Sequence, residues 1–191
     1  MRSKKLLRSP AVALTLIALL SAPSWAGELG GVTMPDHATV AGKTLQLNGM
    51  GIRKKLWIAV YVGGLYLEHP THDAAQIIQA NEVKQVRMHF TTGLATKGKM
   101  DDGWDEGFEE NSPDSVNRLK PRIETFKGYF GDMNDGDLVE ITSVPDQGTT
   151  VSINGKLKGT IEGQDFSQAL MRVWFGPHPP TAPLKQGMLG K

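Results

Sequence analysis

The segment of residues 45–68 constrains the fold most, because it reads as two long extended stretches joined by a tight bend. In the first stretch, leucines alternate with polar residues, which is the two-residue period of a strand covered on one face. The second stretch, residues 57–67, is too rich in β-branched and aromatic residues to be a loop. With Lys54-Lys55 in the bend, this pattern predicts a long β-hairpin that places Arg53 beside an aromatic strand.

Two features of the second stretch bear on its surroundings. Gly63 and Gly64 interrupt it, and glycines inside a strand indicate either a bulge or something packed close to the backbone. Tyr61 and Tyr66 are five residues apart, so a regular strand turns them to opposite faces of the sheet. One of these tyrosines could line a cleft, although an ordinary core or surface position accounts for either of them as well.

The rest of the chain predicts helices between two groups of strands. Met100, Trp104 and Phe108 form a helical stripe whose opposite face is acidic, and we interpret that face as solvated. The predicted elements are a short helix at 74–80, a strand at 83–91, helices at 96–111 and 112–130, strands at 138–144, 149–153 and 156–161, and a helix at 164–175. This order favours an α+β fold with a large antiparallel sheet and a helical layer on one face.

Four local expectations follow from composition and spacing. Residues 27–35 are rich in glycine and are expected to form a loose leader. Pro121 is expected to kink or split the helix that contains it. The tail, residues 179–191, is expected to dock on the domain. Three tryptophans have the spacing of core residues, although they could also wall an aromatic pocket: Trp57, Trp104 and Trp174.

The first 26 residues differ in kind from the rest. A basic start precedes an apolar run from Ala11 to Leu20, and Ser24-Trp25-Ala26 supplies small residues before a cleavage point. This is the pattern of a secretory signal peptide, and the apolar run is too short to span a bilayer comfortably. We therefore predict a signal peptide at 1–26 and a mature domain at 27–191 that is periplasmic or secreted. An N-terminal membrane anchor is the alternative.

Composition excludes several classes of function. The chain has no cysteine, which rules out disulfides, thiol catalysis and cysteine-ligated metals. Without its first 26 residues the chain has 17 basic and 20 acidic residues, a formal charge of −3, so nothing in its charge favours nucleic acid as a partner. The five histidines lack metal-ligand spacing and no nucleotide-binding motif is complete, so we predict neither a metal site nor a cofactor.

Several motifs occur in an order typical of one family. They are Gly49-x-Gly51-x-Arg53, Leu65-Tyr66-Leu67-Glu68, Gly136-Asp137, Gly148-Thr149, Asn154-Gly155 and the helix from Phe166 to Gly176. Over roughly residues 30–190 the chain resembles the chalcone isomerase-like proteins, in particular their bacterial, exported branch. The resemblance implies an open β-sandwich in which a large antiparallel sheet and a layer of helices enclose a ligand cleft.

The resemblance also implies roles for particular residues. Plant enzymes of the family close a phenol oxygen onto an enone, and related non-catalytic members bind fatty acids in the same cleft. In both, the arginine of the Gly-x-Gly-x-Arg stretch is the charged partner of the ligand, a role that carries over to Arg53. The enzymes' catalytic threonine, tyrosine, asparagine and second threonine align with Tyr61, Met100, Gly107 and Val173, which argues against isomerase activity.

Three functional hypotheses follow. The first is an exported binding protein that holds a small hydrophobic or amphipathic molecule, such as a fatty acid. The polar head of this ligand would contact Arg53, and the rest of the ligand would contact Tyr61, Met100, Trp104 and Val173. The second is an intramolecular lyase in which Arg53 stabilises a phenolate while Tyr61 or a water polarises the ketone. The third is a structural or partner-binding domain whose cleft is filled by its own side chains. For Arg53 the alternative role is a structural ion pair.

Overall fold

The computed structural model describes residues 26–191, and a seven-stranded antiparallel sheet organises them. In spatial order the strands of this sheet are β3 (His37–Val40), β4 (Lys43–Lys55), β5 (Ile58–Leu67), β6 (Lys84–Phe90), β7 (Leu138–Val144), β8 (Gly148–Ile153) and β9 (Lys156–Ile161). Two further strands, β1 (Ala26–Leu29) and β2 (Val32–Pro35), form a separate hairpin. The helices are α1 (Ala74–Gln79), α2 (Lys97–Asn111), α3 (Pro113–Lys127), α4 (Gln164–Phe175) and α5 (Ala182–Met188).

The helices gather on one face of the sheet, here called the helical face, which confirms the α+β architecture. Most of the apolar core lies there, between the sheet and the stripes of α2, α3 and α4. Aromatic rings fill its centre, with Trp104 packed edge-on against both Phe126 and Trp174 at centroid distances of 4.9 and 5.6 Å. Each of these helices has one apolar stripe, and burial of that stripe packs the helix against the sheet.

The opposite face of the sheet carries a second, smaller core, and the expected loose leader is part of it. Residues 27–35 are not loose, because they form most of the β1–β2 hairpin and bury Val32 and Met34. A Cβ on Gly64 would lie 2.4 Å from the Met34 Sδ, so this strand glycine provides the space for the hairpin. Tyr66 is also buried in this second core whereas Tyr61 lies in the first, as the strand period predicts.

The pairing of β4 with β5 contains two register shifts, and neither falls at Gly63-Gly64. Both glycines pair regularly with β4, so of the two alternatives the bulge is wrong and close packing holds, by α5 at Gly63 and by Met34 at Gly64. The shifts occur at Asn48, and at Val60 opposite Arg53 and Lys54. Because a one-residue shift exchanges the two faces of a strand, the irregularity at Asn48 turns Gly49, Gly51 and Arg53 towards the helical face.

The tail docks on the sheet, as expected, through helix α5. A Cβ on Gly51 would lie 2.3 Å from the Leu184 carbonyl oxygen, and one on Gly49 would lie 2.3 Å from that of Gly187. The backbone of α5 therefore rests directly on the backbone of β4, with no side chain between them. The Asn48 amide fixes the end of this contact by donating a 2.9 Å hydrogen bond to the Met188 carbonyl oxygen.

Helix α3 runs from Pro113 to Lys127 without a break, so the expectation that Pro121 splits it is wrong. Arg118 and Arg122, one on each side of the proline, both bind the Asp165 carboxylate at the start of α4. Leu119 and Ile123 are buried on the same stretch. These contacts hold both turns against α4 and the core, which offsets the single backbone hydrogen bond that a proline removes.

Trp57 is not a core residue, which corrects its predicted place. The turn between β4 and β5 consists of Leu56 and Trp57, two residues later than the predicted bend, and Trp57 is 83% exposed. Trp104 and Trp174 are buried, as expected. None of the helices within residues 26–191 is long and apolar enough to cross a bilayer. The predicted signal peptide lies outside the described residues, apart from Ala26 at the start of β1.

We predict that Gly51→Ala destabilises the fold by about 1–3 kcal/mol, the usual cost of overpacking, because the added methyl group meets the α5 backbone. Denaturant unfolding of the purified domain measures this. Gly93→Ala is the matched control, since nothing lies within 4 Å of a Cβ there. Equal stability of the two variants would contradict the direct contact between the two backbones.

Candidate functional site

A small cleft opens on the helical face of the sheet, between β4 and β5 on one side and α2 and α4 on the other. Its free volume is about 100 Å³. All five residues predicted to line a ligand cleft border it: Arg53, Tyr61, Met100, Trp104 and Val173. Two strands and two helices distant in sequence therefore meet at one place, as the resemblance implies.

Arg53 is half-buried at this cleft. Within residues 26–191, no carboxylate lies within ion-pairing distance of its guanidinium. The guanidinium carbon lies 5.8 Å from the centroid of the Tyr61 ring, which places the charge near the π-face of its cross-strand neighbour. Its Nη2 reaches α2, 3.7 Å from where a Cβ on Gly103 would stand. The structural ion pair considered for Arg53 does not occur within the part of the chain that the structure describes.

Tyr61 is buried under Arg53 and is held by α4. Its hydroxyl oxygen accepts a 3.1 Å hydrogen bond from the Trp174 Nε1–H. Burial raises the pKa of the Tyr61 phenol, while the Arg53 charge and the Trp174 hydrogen bond oppose that rise. The phenol therefore keeps its proton at neutral pH. Among the described residues no acceptor takes that proton in a hydrogen bond, so it remains available as a donor.

Trp104 also lines the cleft, and it carries a third unpaired donor. Its indole Nε1 is buried and has no hydrogen-bond partner within residues 26–191. Buried polar atoms are nearly always paired, so an unpaired N–H beside a cleft indicates a missing acceptor. No pattern in the sequence indicates this role, because a tryptophan on an apolar helical stripe has the same spacing whether or not its N–H is paired.

Ionisable side chains lie at the rim of the cleft, around Arg53, Tyr61 and Trp104. Lys99 and His178 are exposed there, and so are the carboxylates of Glu106 and Glu110 on the outer part of α2. The two acids cannot serve Arg53, since neither lies within ion-pairing distance of it. The interior of the cleft thus offers hydrogen-bond donors, while the acceptors stay in solvent at its edge.

Three of the four positions that the resemblance aligns with catalytic groups lie at the cleft and carry no polar side chain. Met100, Gly107 and Val173 all border it. A Cβ on Gly107 would lie 2.7 Å from a γ-methyl group of Val173, so the valine occupies the space that a side chain at position 107 would need. At this point of the cleft wall, α2 and α4 are in direct apolar contact.

Other parts of the surface make weaker candidates. A second cleft, of about 290 Å³, lies beside Lys84. Burial lowers the pKa of this lysine to about 8, but its Nζ donates 2.7 Å hydrogen bonds to the Ile77 and Ala80 carbonyl oxygens and so caps α1. No group of histidine, aspartate and glutamate side chains within residues 26–191 is arranged to hold a metal ion.

Comparison with known proteins gives one family and a common fold. A family model described as chalcone isomerase-like matches residues 26–190. Comparison with curated proteins gives no match. Among solved structures, a fatty-acid binding protein of Arabidopsis thaliana is similar, with a TM-score of 0.68 at 14% sequence identity. That alignment covers 86% of this chain and 96% of the Arabidopsis chain.

We predict that Tyr61→Phe lowers the free energy of unfolding by about 1–3 kcal/mol, because the buried Trp174 N–H loses its acceptor. Denaturant titration followed by tryptophan fluorescence measures the change. Tyr129→Phe serves as the control, since its hydroxyl makes only a long, 3.4 Å bond near the surface. A Tyr61→Phe variant as stable as this control would mean that the Trp174 contact contributes nothing.

Proposed function

The chain belongs to the chalcone isomerase-like family, and from that premise we propose that it is an exported, non-catalytic protein that binds a small amphipathic acid in the cleft at Arg53. One observation carries the proposal. Three residues that line a single cleft carry hydrogen-bond donors with no acceptor among the described residues: Arg53 its guanidinium, Tyr61 its hydroxyl and Trp104 its indole N–H. A ligand that supplies acceptors would satisfy them.

The charge of the donors selects the head group of the ligand. Arginine stays protonated when partly desolvated and presents a planar fork that fits two oxygens at once. A carboxylate offers two such oxygens, and a phenolate offers one with the same charge. The protonated Tyr61 phenol can donate to either. The acidic rim of Glu106 and Glu110 is unfavourable to a second negative charge, so the proposal is for a ligand with one anionic end.

The size of the cleft limits how much of the ligand it encloses. Its free volume of about 100 Å³ is smaller than the roughly 150 Å³ of an engineered apolar cavity that takes up benzene. At Trp104 the protein's own rings fill the space, because Phe126, Phe130 and Trp174 pack against the indole at centroid distances of 4.9, 5.2 and 5.6 Å. The enclosed part would be the head group with a few carbons or one small ring, and a long acyl chain would extend outwards.

The similar solved structure supports ligand binding as the class of function. That Arabidopsis protein is described as binding fatty acids, and its fold covers most of this chain. Export is supported by the signal-like pattern of residues 1–26, since the family match begins only at residue 26.

We predict that Arg53→Ala weakens the binding of a short carboxylic acid by about 1.5–3 kcal/mol, roughly a 10- to 150-fold rise in Kd, because a charge-assisted contact is lost. Isothermal titration with straight-chain acids of increasing length measures this, and their methyl esters test the need for a charge. Affinity should stop rising once added carbons lie outside the cleft.

Lys55→Ala is the control for net charge, because Lys55 is exposed at the turn next to Arg53. Equal binding by the Arg53→Ala and Lys55→Ala variants would refute the anchor. Absence of binding to every acid and ester would favour the third hypothesis, a domain without a small-molecule ligand.

The lyase hypothesis has one feature in its favour, the proximity of Arg53 to Tyr61. We nevertheless predict that the protein does not accelerate closure of a chalcone to a flavanone above the spontaneous rate, because Met100, Gly107 and Val173 supply no polar group. A spectrophotometric assay measures the rate. Acceleration that disappears in Arg53→Ala, and persists in Lys55→Ala, would establish the enzyme instead.

A further inference from the structure

The turn between β4 and β5 exposes two large apolar side chains side by side. Leu56 is 80% exposed and Trp57 is 83% exposed, and the preceding residues, Lys54 and Lys55, are exposed as well. We call residues 54–57 the β4–β5 tip. Large apolar residues that gain nothing from the core and stand together at a projecting turn indicate a contact with something outside the chain.

The backbone conformation of the tip strengthens this reading. Leu56 has a φ of +57°, in the left-handed region, as the first residue of a two-residue hairpin loop. Glycine fills that position at the lowest conformational cost, and a leucine there is strained. Neither the fold nor solubility explains a strained, exposed leucine, so its side chain is the feature that requires a function.

Charge identifies the kind of partner. Neither Lys54 nor Lys55 is within ion-pairing distance of a carboxylate among the residues that the structure describes. The domain as a whole is acidic, with a formal charge of −3 for residues 27–191, so two adjacent free lysines beside the apolar pair stand out. Tryptophan prefers the boundary between lipid head groups and acyl chains, and lysines attract anionic lipids.

A third exposed apolar residue lies at the same end of the sheet. Leu94 is 53% exposed in the segment after β6. That segment is tied to the start of β5, because the Thr91 hydroxyl donates to the Ala59 carbonyl oxygen and the Thr91 N–H donates to that of Val60. Arg53, at the cleft, immediately precedes the tip on β4. The end of the sheet that carries the tip therefore also carries the cleft.

We propose that the β4–β5 tip inserts Leu56 and Trp57 into the head-group region of an anionic lipid bilayer, with Lys54 and Lys55 on the lipid phosphates. A projecting tip suits a bilayer better than a protein groove, because its two apolar side chains need depth and no shaped pocket. The proposal concerns peripheral attachment of the mature domain and does not depend on whether the cleft holds a ligand.

Co-sedimentation of the mature domain with vesicles tests it. We expect binding to phosphatidylcholine vesicles that contain phosphatidylglycerol, at least about ten-fold tighter than to pure phosphatidylcholine, and weakened by salt. Trp57 is the exposed tryptophan of the described residues, so its emission should shift to the blue and become protected from an aqueous quencher. Leu56→Ser/Trp57→Ser and Lys54→Glu/Lys55→Glu should each abolish binding.

Leu56→Gly separates the role of the tip from folding. It should raise Tm, because glycine relieves the strained φ, and at the same time weaken vesicle binding. Leu157→Ser is the control for general hydrophobicity, since Leu157 is 68% exposed on β9. Its binding should equal that of the native domain.

Four results would overturn the proposal. Three concern vesicle binding: no preference for anionic vesicles, unchanged binding by the Leu56→Ser/Trp57→Ser variant, or a loss of binding in Leu157→Ser equal to that of the double variant. The fourth is a dimer in sedimentation that dissociates in the Leu56→Ser/Trp57→Ser variant. The last would assign the tip to self-association. Titration of carboxylic acids in the absence of vesicles measures ligand binding separately from vesicle binding, because none of these substitutions changes Arg53.

Discussion

The direct contact of the α5 backbone with β4 is the constraint on which the cleft depends. Gly49 and Gly51 leave no side chains on that part of the strand, so α5 settles onto it. Arg53 is the next residue on the same face and the first with a side chain, and it lies beyond the part of β4 that α5 covers. It can therefore extend towards α2 and reach Gly103. The Gly49-x-Gly51-x-Arg53 motif thus has a structural explanation. Its two glycines allow α5 to pack on β4, and its arginine faces the cleft.

The irregularity at Asn48 decides which face receives this motif. The Asn48 side chain links α5 to the segment before α1. It donates a hydrogen bond to the Met188 carbonyl oxygen and accepts a 2.8 Å hydrogen bond from the Thr71 N–H. Without the extra residue, the alternation of β4 would put Arg53 on the face covered by the N-terminal hairpin. The extra residue at Asn48 therefore decides whether Arg53, and with it a positive charge, faces the cleft.

Sequence patterns predicted the elements well because helical and strand periods are local properties. They failed where a distant partner decides the outcome. Pro121 keeps its helix because Arg118 and Arg122 hold Asp165, more than 40 residues away. Residues 27–35 looked like a leader because what orders them is a sheet face that β4 and β5 provide. At Gly63 the sequence allowed a bulge or close packing, and only the position of α5, whose Leu184 and Met188 side chains would meet a Cβ there, distinguishes the two.

The cleft itself was predictable to the extent that a family motif carries a charge. Arg53 and Tyr61 followed from the resemblance, whereas the unpaired Trp104 N–H did not, since pairing is a property of three-dimensional neighbours. Its presence changes the energetics of the site. Three donors border a small cleft with no acceptor among residues 26–191, and a buried donor left without a partner costs about 1–3 kcal/mol. An anion with two oxygens would relieve part of that cost on binding. Its affinity would then come from hydrogen bonds to donors that lack an acceptor, as well as from the charge of Arg53.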